Sequence, residues 1–170
     1  MPKGLCIKGL EERGLIIAVV ADTHGITDSI MRALAMLHPA YLLFAGDHYA
    51  DGEKLSRKLD IPCFAVPGNC DFVASHAQEV VIPFLDYKVL LVHGHQYGVK
   101  RDLNALYYRG KELEVDVVVY GHTHMPHCER IKDLWLVNPG SPSRPRITGQ
   151  ATYAILQVNE EGITPSILKL

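Results

Sequence analysis

The first half of the chain alternates short apolar runs with amphipathic segments. The runs at 15–21, 41–45 and 61–66 are largely aliphatic, which is typical of strands that are buried on both faces of a sheet. Between them, residues 27–38 place apolar side chains at the i, i+3, i+4, i+7 positions of a helix, and 53–59 predicts a shorter helix. This order of strand, helix, strand, helix and strand predicts right-handed crossovers and a parallel sheet.

The second half begins with the same pattern and then changes. Apolar runs at 88–92 and 115–120 predict two more strands, with a helix at 103–113 between them. The remaining runs are short and are separated by turn residues, which predicts an antiparallel meander. These runs span 134–137, 152–158 and 163–168. We therefore predict one α/β domain of two packed sheets at 15–170, preceded by an N-terminal extension at 1–14.

Composition agrees with a globular domain and gives little reason to expect membrane or nucleic-acid partners. The 170 residues are 48% hydrophobic and 21% charged, and the net charge is −2. No apolar run approaches the about 20 residues of a membrane span, and 1–14 lacks the apolar core of a signal peptide. The four cysteines form no C-x-x-C pair, so we expect a cytoplasmic protein with free thiols. The oligomeric state stays open, and a homo-oligomer is compatible with the sequence.

Metal-ligating residue types follow the apolar runs at the point where each run ends. The motifs in chain order are DTH, GD, GN, HGH and GHTH. The candidate residues in them are Asp22, His24, Asp47, Asn69, His93, His95, His122 and His124. Ligands of parallel sheets sit at the carboxyl ends of the strands, so we expect these side chains to meet at one edge. Carboxylate, imidazole and amide oxygen ligands suit borderline to hard divalent metals.

Eight such residues are more than one four- to six-coordinate ion can use. Two ions that share a bridging carboxylate would account for the excess. Each motif alone has a simpler explanation, because Asp47 can cap a helix, Asn69 can occupy a turn, and the histidine pairs can be polar ends of strands. Their order, each after a predicted strand, makes chance a poor explanation.

This ordered series resembles the calcineurin-like metallophosphoesterases. The short chain and the GNCD and NPGS elements are similar to the small bacterial and archaeal phosphodiesterase branch of that family. The resemblance spans 16–146 and implies a two-sheet β-sandwich flanked by helices, the four-layer αββα fold. It also implies a metal-dependent phosphoric diester hydrolase that acts on a small phosphodiester through attack of an activated water or hydroxide on phosphorus.

The resemblance further implies a role for each motif residue. Asp22, His24 and His124 would hold a first divalent ion, Asp47 would bridge, and Asn69, His93 and His122 would complete the second site. His95 is expected to orient a ligand or touch phosphate, so that Asp47, Asn69 and His95 take part in catalysis. Mn²⁺ is the ion we expect first, and Ni²⁺, Fe²⁺, Co²⁺ and Zn²⁺ also suit these ligands.

Cys70 departs from the pattern of many larger relatives, which carry a histidine there in a GNH motif. That histidine protonates the leaving oxygen, and general-acid help is typically worth about 10²–10⁴-fold. We therefore expect modest turnover, best with good leaving groups, unless another group supplies the proton. The candidates are His48, His95, His127 and the Cys70 thiol. In the NPGS element, Asn138, Ser141 and Arg146 either contact substrate or belong to a packed turn.

Two other functions compete with this interpretation. A protein-binding scaffold, like the retromer trafficking subunit that shares the fold but has lost metal ligands, is one; here every ligand position is filled, which favours the enzyme. A DNA nuclease is the other, and it fits less well. Nuclease relatives carry extra domains, and the charge balance offers no evident face for nucleic acid.

Overall fold

The computed structural model of the chain describes residues 14–72, 76–146 and 149–170. Nearly all of the predicted N-terminal extension, 1–13, lies outside these ranges. The strands are β1 (Leu15–Val20), β2 (Tyr41–Phe44), β3 (Cys63–Ala65), β4 (Glu79–Phe84), β5 (Tyr87–Val92), β6 (Val117–Val119), β7 (Pro126–Ile131), β8 (Leu134–Pro139), β9 (Thr152–Asn159) and β10 (Gly162–Lys169). The helices are α1 (Asp28–Leu37), α2 (Tyr49–Leu59) and α3 (Asn104–Glu112), with a short 3₁₀ turn at His95–Tyr97.

Two mixed sheets of five strands each pack face to face. The first has the order β10-β9-β1-β2-β3 and the second the order β4-β5-β6-β8-β7. β1, β2 and β3 run parallel, as predicted, because a helix forms each connection between them. β5, β6 and β8 are also parallel, while β4, β7, β9 and β10 pair antiparallel with their neighbours.

The two faces of β1 explain the continuous apolar run in its sequence. Ile17 and Val19 point into the core between the sheets, and Ala18 and Val20 point outward beneath α1 and α2. Successive side chains of a strand alternate in direction, so a strand covered on both sides must be apolar throughout. α3 covers the outer face of the second sheet, where Leu106 is fully buried. The predicted four-layer αββα arrangement is confirmed.

The sequence pattern missed β4 and β7, which are edge strands of the second sheet. β4 contains Pro83, and most of the β7 side chains are exposed, so neither strand has the continuous apolar sequence that is typical of a buried strand. The predicted C-terminal meander is wrong in part, because β8 lies in the second sheet parallel to β6, and only β9 and β10 form an antiparallel hairpin. α2 begins at Tyr49, four residues before the predicted start. The pattern missed this first turn because it contains Gly52 and a buried Asp51.

Three cysteines of the described residues, Cys63, Cys70 and Cys128, are free, as predicted. No helix in the described ranges is both long and apolar enough to cross a membrane.

A charged contact ties the missed strand β4 to α3 and to the 3₁₀ turn. The carboxylate of Glu79 accepts hydrogen bonds from the Arg109 guanidinium of α3 and from the Tyr97 hydroxyl of the 3₁₀ turn. The bonds from Arg109, with a further one from Tyr97, hold the pKa of Glu79 below its usual range. Arg109 also pairs with Glu112, a more exposed residue on its own helix.

Glu79→Gln should lower the melting temperature more than the matched control Glu112→Gln, by ~2–4 °C at pH 7. A carboxylate whose folded pKa is lowered stabilises the protein above its unfolded pKa, about 4.3, and this contribution is lost as the pH falls through the folded value. The difference between wild type and Glu79→Gln should therefore be constant from pH 8 to pH 5 and close below about pH 4. Calorimetric melting across this range measures it. A difference that grows toward acid pH would contradict the prediction.

Candidate metal centre

Five loops at the carboxyl edge of the sheets carry the predicted ligand residues. The loops follow β1, β2, β3, β5 and β6. Backbone hydrogen bonds join them in pairs, since Asp22 N donates to Gly46 O at 2.9 Å and Gly121 N donates to His93 O at 3.0 Å. The His93 side chain links the two sheets, because its Nδ1 lies 2.6 Å from Ala45 O. The loops therefore lie together at one edge, as predicted.

The backbone of these loops is held in an unusual conformation. Six residues other than glycine have a positive φ there: Asp22 (56°), His24 (47°), Asp47 (49°), His48 (72°), His122 (69°) and His124 (58°). This region costs a side-chain-bearing residue ~1–3 kcal/mol and persists only where the surroundings enforce it. The turn of the backbone allows both side chains of a D-x-H or H-x-H motif to face one centre.

Four side chains form a first group of potential ligands. One ligand atom each from Asp22, His24, Asp47 and His124 lies within 4.8 Å of all the others, close enough to hold a metal ion. His24 Nε2 is 3.1 Å from His124 Nε2 and 3.8 Å from Asp47 Oδ2, and His124 Nε2 is 3.6 Å from Asp22 Oδ1. Two carboxylates and two imidazoles are a donor set typical of transition-metal sites.

A second group shares Asp47 with the first. His93 Nε2 lies 3.5 Å from Asp47 Oδ1 and 3.2 Å from Asn69 Oδ1. The ring centroid of His122 is 5.0 Å from that of His93. The His95 ring stands beside both, 5.4 Å from His93 and 6.1 Å from His122. The two oxygens of the Asp47 carboxylate therefore face different groups.

Backbone carbonyls fix the orientation of two imidazoles. His93 Nδ1 faces Ala45 O, and His124 Nδ1 lies 2.9 Å from Arg144 O. A carbonyl only accepts hydrogen bonds, so each Nδ1 carries the proton and each Nε2 presents its lone pair to the centre. This is the tautomer that can bind a metal ion.

Two glycines of the motifs are required by close approach. A Cβ at position 68 would lie 2.1 Å from Asp47 Oδ1, and one at position 46 would lie 2.6 Å from His93 Nδ1. Gly46 also has a φ of +88°. The glycines of GD and GN thus leave room for the ligands of the neighbouring loops.

Sequence reasoning missed Asp51, which fixes the DTH loop. Its Oδ2 accepts hydrogen bonds from Thr23 Oγ1 at 2.6 Å and Gly25 N at 2.8 Å. Asp51 lies in the first turn of α2, a segment that the pattern left outside the helix, so no periodicity pointed to it. An acidic residue in the first turn of a helix after a GD motif is the signal that could have found it.

The NPGS element is a packed turn that supports the ligand loops. Asn138 and Ser141 are fully buried, which decides between the two alternatives for these residues. Asn138 Nδ2 donates to Gly121 O at 2.8 Å, and Ser141 Oγ donates to Asp22 O at 2.8 Å. Arg146, in contrast, is exposed.

The charges of the centre fit a divalent cation. Burial, with the negative charge of Asp47, raises the pKa of Asp22 to about 8, and Asp22 Oδ1 has no hydrogen-bond partner in the described structure although it is buried. Burial raises the pKa of Asp47 as well, but the neighbouring His93 and the Cys70 N–H lower it by more. Burial lowers the pKa of His122 to about 4, so this imidazole is neutral. An unpartnered carboxylate oxygen among neutral imidazoles is an arrangement that a cation would complete.

Burial likewise lowers the pKa of three further imidazoles, those of His24, His93 and His124. Neutral imidazole is the form that coordinates metal ions.

The candidate proton donors occupy different surroundings. The exposed His48 ring has its centroid 5.7 Å from that of His24. His127 lies on β7 with Nδ1 2.9 Å from the Tyr120 hydroxyl and Nε2 3.3 Å from Glu129 Oε2, so both nitrogens have partners outside the ligand set. Cys70, the remaining candidate besides His95, exposes its side chain and donates its backbone N–H to Asp47 Oδ1 at 3.0 Å.

The chain is similar to several known proteins along most of its length. The protein named probable metallophosphoesterase YsnB, from Bacillus subtilis, is 32% identical over 149 residues, which cover 87% of each chain. Phosphodiesterase YfcE of Escherichia coli is 28% identical over 163 residues, covering 80% of this chain and 84% of the relative. Vps29 of Entamoeba histolytica, solved in complex with Zn²⁺, superposes with a TM-score of 0.75 at 20% identity, over 91% of this chain and 99% of that one.

The model of the calcineurin-like phosphoesterase superfamily domain matches residues 15–161. That range contains strands β1 to β9 and every residue of the candidate metal centre. The chain therefore belongs to the calcineurin-like phosphoesterase superfamily.

Proposed function

We propose that the protein is a dinuclear metal-dependent phosphodiesterase that hydrolyses a small phosphodiester. The observation that carries the proposal is the position of the Asp47 carboxylate between the two ligand groups, with Oδ2 3.8 Å from His24 and Oδ1 3.5 Å from His93. A carboxylate with one oxygen directed at each of two nitrogen-rich groups is suited to bridging two cations. The name of the Escherichia coli relative supports a diester as the substrate class.

In this proposal the first ion is held by the first group and the second ion by the second. The ligands are Asp22, His24 and His124 for the first, Asn69, His93 and His122 for the second, and Asp47 for both. Mn²⁺ is the proposed ion, although Ni²⁺, Fe²⁺, Co²⁺ and Zn²⁺ suit the same ligands. When bound, two such ions neutralise phosphate oxygens and lower the pKa of water, so that hydroxide can attack phosphorus at neutral pH.

The chain's own residues orient the reactants. His95 is the proposed contact to phosphate, because its ring stands beside His93 and His122 and the residue is only half-buried. Asn69 lies on the exposed side of the centre, where substrate would enter. The buried aspartates and imidazoles behind it close the opposite side to water.

Protonation of the leaving oxygen is the weak step of this site. Cys70 lies at the exposed rim, where a histidine could reach the leaving group. Asp71, which could support such a histidine, instead accepts hydrogen bonds from Gly68 N and Tyr49 N and so shapes the loop. We therefore propose that the enzyme acts best on diesters whose leaving group needs little protonation.

A protein-binding scaffold remains the alternative, and the likeness of the fold to Vps29 is the observation that favours it. At 20% identity this likeness concerns the fold alone. The scaffold would keep its function after the ligands are removed, whereas the enzyme would lose it, so the first experiment below separates the two.

Chelator-stripped protein should hydrolyse bis(p-nitrophenyl) phosphate only when Mn²⁺ is added back. Asp47→Ala should reduce the rate at least ~10²-fold, because loss of the bridging carboxylate weakens both sites. Equilibrium dialysis should find two ions bound per wild-type chain and fewer per variant chain. The control is Asp86→Ala, which removes an exposed carboxylate in the turn between β4 and β5.

Either of two results would count against the proposal. Two tightly bound ions in Asp47→Ala would mean that this residue is not the bridge. Metal binding without any hydrolysis in the wild type would favour the scaffold.

Cys70→His should accelerate hydrolysis of esters with poor leaving groups. We expect a gain of up to ~10²-fold for methyl phenyl phosphate and a much smaller one for methyl p-nitrophenyl phosphate, because only the first depends on proton donation. The backbone N–H that Cys70 donates to Asp47 is kept when histidine or asparagine replaces the cysteine. Cys70→Asn, a polar side chain without acid function, is the control. Equal changes for both esters would show that the missing acid does not limit this site.

A further inference from the structure

Three positively charged side chains stand around the candidate metal centre without a role in the chemistry above. Lys100 follows the 3₁₀ turn, and Arg144 and Arg146 follow the NPGS turn; all three are exposed. We call them the rim cations. Two other cations of the chain are paired with acids, Arg109 with Glu79 and Lys111 with Asp133. Among the described residues, no rim cation forms an ion pair with a carboxylate.

The backbone that carries the two arginines is fixed directly against the ligand loops. Arg144 O faces His124 Nδ1 at 2.9 Å, and Arg146 N donates to His124 O at 3.3 Å. Arg144 N donates to Ser141 Oγ at 2.8 Å, and Ser143 Oγ donates to Thr23 O at 2.7 Å. The two guanidinium groups therefore start from a segment that is tied to the first ligand group on both sides.

Lys100 starts from an equally well-supported turn on the other side of the centre. Its neighbour Val99 is buried and packs beside Gly94, in the HGH motif. The turn is closed by hydrogen bonds from Tyr97 N to Gly94 O at 3.0 Å and from Arg101 N to Gly98 O at 2.9 Å. The long lysine side chain thus extends from a fixed base next to the HGH ligands.

The charges of these side chains reach the centre. Burial is the main cause of the lowered pKa of His124, and the positive charges of Arg146 and Lys100 lower it further. The charge of Lys100 also acts on Asp22 and His122, and that of Arg144 acts on His24. The backbone segments that carry the three cations therefore border the ligand groups on two sides.

We propose that the rim cations bind a second phosphate group, so that the preferred substrate is a phosphodiester that also carries a phosphomonoester. This inference rests on the proposed function. A simple diester brings one negative charge, which the proposed metal ions would neutralise, and it leaves the rim cations without a partner. Guanidinium and ammonium groups on fixed segments are the donors with which proteins hold phosphate oxygens.

A matched pair of chromogenic diesters tests the proposal. Thymidine 5′-(p-nitrophenyl phosphate) and its 3′-phosphorylated form differ by a single phosphate remote from the cleaved bond. With Mn²⁺-loaded wild type, kcat/KM should be at least about tenfold higher for the 3′-phosphorylated form, the effect of one charge-assisted contact. Lys100→Gln, Arg144→Gln and Arg146→Gln should each reduce this ratio, and the triple variant should bring it close to one.

The control is Lys88→Gln, which removes an exposed lysine at the opposite end of β5 from His93 and should keep the wild-type ratio. A wild-type ratio of one, or variants that lower kcat/KM equally for both esters, would overturn the proposal. In the second case the cations would act on the reacting phosphate or on protein shape.

Calorimetric binding keeps this inference separate from the proposed function. The Mn²⁺-loaded protein should bind thymidine 3′,5′-bisphosphate more tightly than thymidine 5′-phosphate, and the preference should shrink with added salt and in the triple variant. If neither ester is hydrolysed but this preference is present, the proposed function fails while the second-phosphate site stands. If the preference is absent, the inference fails whether or not hydrolysis occurs.

Discussion

Two carboxylates, Asp22 and Asp47, are buried within a few ångströms of each other at the meeting point of the sheets. No lysine or arginine pairs with either in the described residues, and burial together with the charge of Asp47 raises the pKa of Asp22 to about 8, so ionising both carboxylates at neutral pH costs free energy. Backbone N–H groups offset part of the cost, since Asp22 accepts from His122 N and Asp47 from Cys70 N. The remaining cost can be offset only by positive charge beside the two aspartates. The neutral imidazoles around the pair determine which kind of cation can bind there.

That requirement shapes the surrounding backbone. Ligand residues in the left-handed region, glycines with no space for a Cβ and a buried turn at 138–141 all place donor atoms around the two aspartates. Each of these features costs folding free energy when considered alone. The sandwich tolerates them because the large apolar core between the sheets and the outer helices is not interrupted by the site.

The sequence could predict those strands and motifs that leave a local pattern of apolar and polar residues. Residues such as Ile17 to Val20 mark a doubly covered strand, and the polar motifs after such strands indicated where ligand types would gather. The pattern could not predict β4 and β7, because an edge strand that is half exposed lacks the apolar run used to recognise it. It also could not predict contacts such as Ser141 with Asp22, which join residues 119 positions apart and leave no trace in periodicity.

His24 and His124 lie 100 positions apart in the sequence, yet their Nε2 atoms are 3.1 Å from each other. Any group that binds both would tie the loop after β1 to the loop after β6, and would restrict the unfolded chain as a covalent cross-link does. In the chain-entropy model, a link across about 100 residues is worth about 4.7 kcal/mol. The same atoms would then also join the two sheets. The occupancy of the site would therefore determine the thermal stability of the whole domain.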